Sequence, residues 1–226
     1  VDSVPAGGYN MYHITLPIMG TGDLYATFTV SWPYAEQSDG FSAWTGVAPQ
    51  SKLVGVKVLN SAGEGTSTAL INGVNWIIAN REIYHITVAS MSISFDSEMS
   101  SVNSAVLNLV NSGVTVVVSA GNDGSGSNNV YSPASVDEVI TVAAMNQFDN
   151  VASYSSQGGT SRYTGNTIKP DITAPGGSHF AVPVFSADSN NADGEGRFTD
   201  IQANDSAPMQ GTSMSAPVIS GCVQIV

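Results

Sequence analysis

The sequence predicts an α/β fold, a doubly wound and mostly parallel sheet with helices on both faces. Strand-like and helix-like segments alternate through the middle of the chain, and two of the strands are almost continuously apolar. Such alternation implies right-handed crossovers between parallel neighbours, and apolar strands of this kind imply a sheet covered on both sides. In chain order, Leu53 to Leu59 is an apolar, strand-like run. Ala69, Leu70, Val74, Ile77 and Ile78 then recur at helical spacing through Asn80, and Ile83 to Ile93, with His85 inside it, reads as the next strand. Val102, Ala105, Val106, Leu109 and Val110 mark a second helix that Gly113 stops. Val114 to Val118 and Val139 to Ala144 are the two apolar strands, and Val218 to Val226 is an apolar segment suited to a helix. Chemistry in such sheets gathers at the carboxyl ends of the strands, and Asn122 follows one of them.

A chain of 226 residues is long enough for one domain with a full core. Residues 1–226 are therefore read as a single domain, with residues 1–45 unassigned. Six Lys plus Arg against eighteen Asp plus Glu give a formal net charge of −12, which argues against nucleic acid or an anionic membrane surface as a partner. No apolar run is long enough for a membrane span. The one cysteine, Cys222, excludes an internal disulfide framework and metal-binding cysteine spacing. Its place in the apolar segment suggests a buried small hydrophobe. Abundant Gly, Ser, Asn and Thr with few Lys suit a secreted or cell-surface protein, and a start at Val1 without a signal-like segment suggests a processed product.

The densest chemical signal is Gly211-Thr212-Ser213-Met214-Ser215-Ala216-Pro217, a small-residue turn that delivers a serine to the start of a helix. A serine that attacks a carbonyl must be exposed, near a base, and beside donors for the oxyanion. Gly211 allows the tight turn, Pro217 suits a first helical turn, and the free N–H groups of a helix N-terminus favour developing negative charge. In isolation Ser213 could be an ordinary capping serine. Asn122, at the end of a strand, is a neutral carboxamide donor of the kind that stabilises an oxyanion, or else a turn residue before Gly124.

Taken together these segments resemble the subtilisin-like serine proteases, the subtilases, from about Gly46 to Cys222. The Gly211–Pro217 stretch matches the family's nucleophile motif, and Val117 through Gly124 resembles its strand and turn carrying the oxyanion asparagine. Lys169-Pro170-Asp171-Ile172-Thr173-Ala174-Pro175-Gly176 resembles the segment before the nucleophile, and Gly46-Val47-Ala48-Pro49 opens the strand leading to the cleft. The resemblance implies a subtilisin-like fold and a serine endopeptidase acting on polypeptides through an acyl-enzyme on Ser213, with Asn122 as oxyanion donor. It implies a cleft in which an extended peptide pairs with Ser92, Ile93 and Ser94 on one side and with the Gly63-Glu64-Gly65 edge on the other. Ser119, Ala120 and Gly121 would line the primary pocket, with Val130 to Pro133 as its far wall. The glycines also fit a plain turn after a strand.

The chain departs from the family where the catalytic aspartate and histidine should precede the serine. No His-Gly-Thr-His block is present. Asp2 and His13 are weak candidates, and they exclude each other because the family places a whole βα unit between its two. His85 and His179 do not match the family's position, and Val218 stands where a histidine usually follows the proline. The chain ends shortly after the nucleophile helix begins, so the domain is expected to be incomplete, with missing parts supplied by a companion chain or another segment. The alternatives are a catalytically inactive binding or structural protein on this fold, or a processed fragment. No cofactor is required and no metal ligand set is assigned. Structural calcium is possible in the family, and Asp188 through Glu195 is an oxygen-rich loop that could hold it or simply face water.

Overall fold

The computed structural model describes residues 11–14, 46–48, 50–60, 63–126, 128–161, 163–178, 184–187 and 206–226. Asp2, His179 and the 188–195 loop lie outside the described residues. The elements run β1 (Met11–Ile14), β2 (Leu53–Val56), α1 (Ser67–Tyr84), β3 (Val88–Met91), α2 (Ser100–Asn111), β4 (Thr115–Ser119) and β5 (Ile140–Met145). They continue with β6 (Gly159–Thr160), β7 (Ile168–Lys169), β8 (Ile172–Pro175), β9 (Val184–Ala187), β10 (Ser206–Met209) and α3 (Thr212–Ile225).

The central sheet has the order β3-β4-β5-β8 and is parallel throughout. Successive residues of a strand point to opposite faces, which divides the core in two. Val116 and Val118 of β4 and Ala143 of β5 pack with Leu70, Val74, Val102, Val106 and Leu109 of α1 and α2. Val117, Val142 and Ala174 face the other way and pack with Ala216 of α3, flanked by Val218, Ile219 and Val223. Both faces of β4 are thus apolar because both are covered, and the doubly wound architecture is the one expected. Beside this sheet, β1 runs parallel to β2, with His13 opposite Gly55, while β6–β7 and β9–β10 are antiparallel pairs.

Several boundaries differ from the sequence reading. The Leu53–Leu59 run forms a strand only to Val56, after which the chain turns at Asn60, where its N–H donates to Glu64 O at 2.7 Å. Ile83 and Tyr84 belong to α1, not to a strand. Both are exposed, Tyr84 stacks on Trp76 at 5.6 Å, and the helix is capped by His85 in the left-handed conformation (φ 53). Apolar and aromatic residues on the solvent side of a helix end therefore mimicked strand composition, and the strand proper, β3, starts at Val88 and stops before Ser92. Gly113 does follow the end of α2, at φ 94. Cys222 is exposed on α3 instead of buried, because α3 turns Ala216 and Val223 to the sheet and Cys222 away from it.

Candidate active site

α3 begins over the carboxyl ends of the strands, with Gly211 as N-cap at φ 147, a conformation open essentially to glycine. Its N–H donates to Gly176 O (2.9 Å), just beyond β8. Ser213, half-buried, is the second residue of the helix. Pro217 lies in the second turn, not in the first where the sequence placed it. A proline inside a helix removes the bond from its own nitrogen to the carbonyl four residues back, which here is Ser213 O. Ser92 Oγ, just past the end of β3, donates to that free carbonyl at 2.8 Å. The proline thus opens an acceptor on Ser213, and a neighbouring strand end fills it.

Thr212 joins α3 to the end of β4. Its N–H donates to Asn122 Oδ1 (3.0 Å), and its hydroxyl lies 3.1 Å from the same oxygen and 3.2 Å from both the N–H and the carbonyl of Gly121. A backbone N–H can only donate, so the Asn122 atom facing it is the oxygen, and the Nδ2 amide end is left as a donor with no acceptor among the described residues. Asn122 is exposed, and its amide lies 3.6 Å from where a side chain on Gly211 would begin. Ser213, its N–H, Gly121 and the Asn122 amide are thereby gathered at one point. Tyr154 supports the same turn by sharing its proton between Gly176 O and Gly177 O, each at 2.8 Å. Burial pushes its phenol above the ordinary value, against a weaker opposing hydrogen bond from the Gly211 backbone, so it remains a donor at neutral pH.

The cleft residues form a pocket of about 420 Å³ between two chain edges, with Gly63, Glu64, Gly65 and Thr66 on one side and Ser92 through Asp96 on the other. Ile93 and Ser94 make no backbone hydrogen bond to any described residue, which leaves this edge open to an added strand. The glycines serve the chain itself as well. A side chain on Gly65 would start 2.7 Å from the Val58 carbonyl, whereas nothing lies within 4 Å at Gly63, whose φ is 77. Ser119 and Gly121 are buried, and Phe95 N–H donates to Ser132 O (3.0 Å), tying the second edge to the Val130–Pro133 segment.

His85 is not joined to this cluster. Thr66, the N-cap of α1, lines the pocket, and His85 caps the other end of that helix, about 27 Å away at 1.5 Å per residue. His13 lies on β1, beside β2, and not on a helix. Thr212 and Tyr154 were missed by sequence reasoning, and Ser92 was read only as a cleft residue. The threonine stood inside a motif already singled out, and a hydroxyl beside the N-cap is a visible clamp signal. Tyr154 carried none.

A model of the subtilase family matches residues 31–226. Subtilisin DY of Bacillus licheniformis is 33% identical over 251 residues, covering 100% of this chain and 80% of its own length. A cuticle-degrading serine protease of Arthrobotrys oligospora is 33% identical over 176 residues, which span 78% of this chain but 36% of the relative. Among solved structures, sphericase superposes with a TM-score of 0.65 at 28% identity, over 82% of this chain and 56% of its own.

Proposed function

The chain belongs to the subtilase family, and from that membership we propose that it is a serine endopeptidase acting on polypeptides through an acyl-enzyme on Ser213. The observation that carries the reading is the Thr212 clamp, which holds the Asn122 carboxamide by its oxygen beside the start of α3 and leaves its N–H₂ to donate. In this reading Ser213 Oγ attacks the scissile carbonyl and a base takes its proton. The carbonyl oxygen, now negative, is held by Asn122 Nδ2 and the Ser213 N–H. The tetrahedral adduct then expels the amine, which takes up the proton, and water hydrolyses the ester. The fixed donors are aimed at charge that exists only after attack, so they lower the barrier without tightening ground-state binding.

The histidine base and its orienting aspartate are assigned to no described residue. We place them in another segment of the polypeptide or in a companion chain, since Asp2 and His13 cannot serve together. Residues 1–226 are read as one domain that these groups complete. Ser119 and Gly121 are proposed for the primary pocket, and Ser92, Ile93, Ser94, Gly63 and Gly65 for pairing with the substrate backbone. No cofactor enters the chemistry, and calcium, if bound at 188–195, would hold a loop. The names of the relatives and the composition support an extracellular setting.

The test is intact mass of the native protein after exposure to a fluorophosphonate. One adduct on the wild type and none on Ser213→Ala is expected. Folded wild type that takes up no label would overturn the assignment of activity to this chain.

A further inference from the structure

Two carboxylates, Glu64 and Asp96, stand on opposite edges of the pocket between Gly63–Thr66 and Ser92–Asp96. Both residues are exposed. Neither is ion-paired to a described residue, and no described Lys, Arg or His lines the pocket. Val58, Leu59, Leu70, Ile93 and Phe95 add apolar side chains to a lining that also carries Thr66, Ser92 and Ser94. A pocket that offers apolar side chains in its wall and a carboxylate on each edge matches a side chain with a long aliphatic stem and a cationic head. An aliphatic side chain would meet the interior but leave both carboxylates unanswered, and an acidic one would meet like charge from both edges. Because the Ile93–Ser94 backbone is open for strand addition, a peptide lying there sends alternate side chains toward the pocket.

We infer that this pocket selects a lysine or arginine of the bound polypeptide, so that the preferred substrates are basic segments. The inference rests on the peptide-cleft reading above and names the substrate class for it. The overall charge of −12 acts in the same direction at longer range, by concentrating cationic chains near the surface.

The experiment measures dissociation constants of three fluorescent peptides by polarisation. The peptides are identical except for arginine, leucine or glutamate at one position, which is moved along the peptide in a series. Full-length Ser213→Ala protein is used so that nothing is cleaved, with the Glu64→Gln, Asp96→Asn double substitution added on the same background. Exposed ion pairs are individually weak, so the arginine peptide is expected to bind about three- to tenfold tighter than the leucine peptide at its best position. That margin should shrink at about 0.5 M salt and vanish in the double variant. Equal affinities, a preference for leucine, a margin that survives the double substitution, or no binding of any peptide would each overturn the inference. Fluorophosphonate labelling of the wild type is read separately. Labelling with flat peptide preference would sink the basic pocket and leave the peptidase, while preference without labelling would do the reverse.

Discussion

Ser213 and Ser215 lie two positions apart on α3 and meet opposite environments. The carbonyl of Ser213 is answered by Ser92, whereas Ser215 Oγ is fully buried and has no hydrogen-bond partner among the described residues. It faces the Gly176 turn, where a side chain on Gly176 would begin 2.6 Å from it. A buried hydroxyl with no partner costs about 1–3 kcal/mol of desolvation, and replacing it by a methyl group loses almost no packing volume. Ser215→Ala is therefore expected to raise stability by about 1 kcal/mol, seen as a higher urea midpoint at unchanged m-value. A lower midpoint would mean that Ser215 has a partner. Motif spacing singled out Ser213 and Asn122, because the signals at both are written in contiguous residues. The bonds that hold them were not, since Ser92 and Ser213 are 121 positions apart and Thr212 and Asn122 are 90 apart.

Elements covered on both faces were the easiest to foresee. β4 and β5 fell within a residue of expectation because full burial writes itself as unbroken apolar sequence, and α2 fell within two because its buried residues recur at helical spacing. α1 and β3 were misplaced where exposed Ile83 and Tyr84 imitated a strand. The β7–β8 corner was matched only by resemblance, and the structure supplies its physics. Lys169, at 1% exposure, donates to Asp171 Oδ2 (2.7 Å), Val139 O (2.7 Å) and Asp137 O (3.2 Å), while the same Asp171 oxygen accepts from Thr141 N–H (2.7 Å). One ammonium thereby fastens the corner to the start of β5. Lys169→Met keeps the length of the stem but leaves a carboxylate and two carbonyls without their donor. Removing one partner of a buried pair costs several kcal/mol, and the partial exposure of Asp171 moderates the loss, giving about 3 kcal/mol by chemical denaturation. A change below about 1 kcal/mol would show that water replaces the ammonium without penalty.

Across the whole molecule, acids outnumber bases eighteen to six, so repulsion among carboxylates opposes the compact state at neutral pH and eases as they protonate. Asp137 runs against that trend. Burial works to raise its pKa, but hydrogen bonds from Thr164, Thr167 and Ser161, with the charge of Lys169, outweigh it and hold the carboxyl below the ordinary 3.8. A group whose folded value lies below its unfolded one contributes its full stability above the unfolded value. It loses that contribution as pH falls through the folded value. Asp137→Asn should thus be less stable than the wild type by about 1 kcal/mol from pH 7 to pH 5, after discounting for partial exposure. The two unfolding curves should begin to approach each other below about pH 4 and meet once pH has fallen past the folded value. Thermal melts of both proteins across that range decide it, because general repulsion shifts them together and leaves their difference untouched. A difference that stays constant down to the lowest pH at which both proteins still fold would mean that the Asp137 contacts stabilise through geometry, independent of its charge.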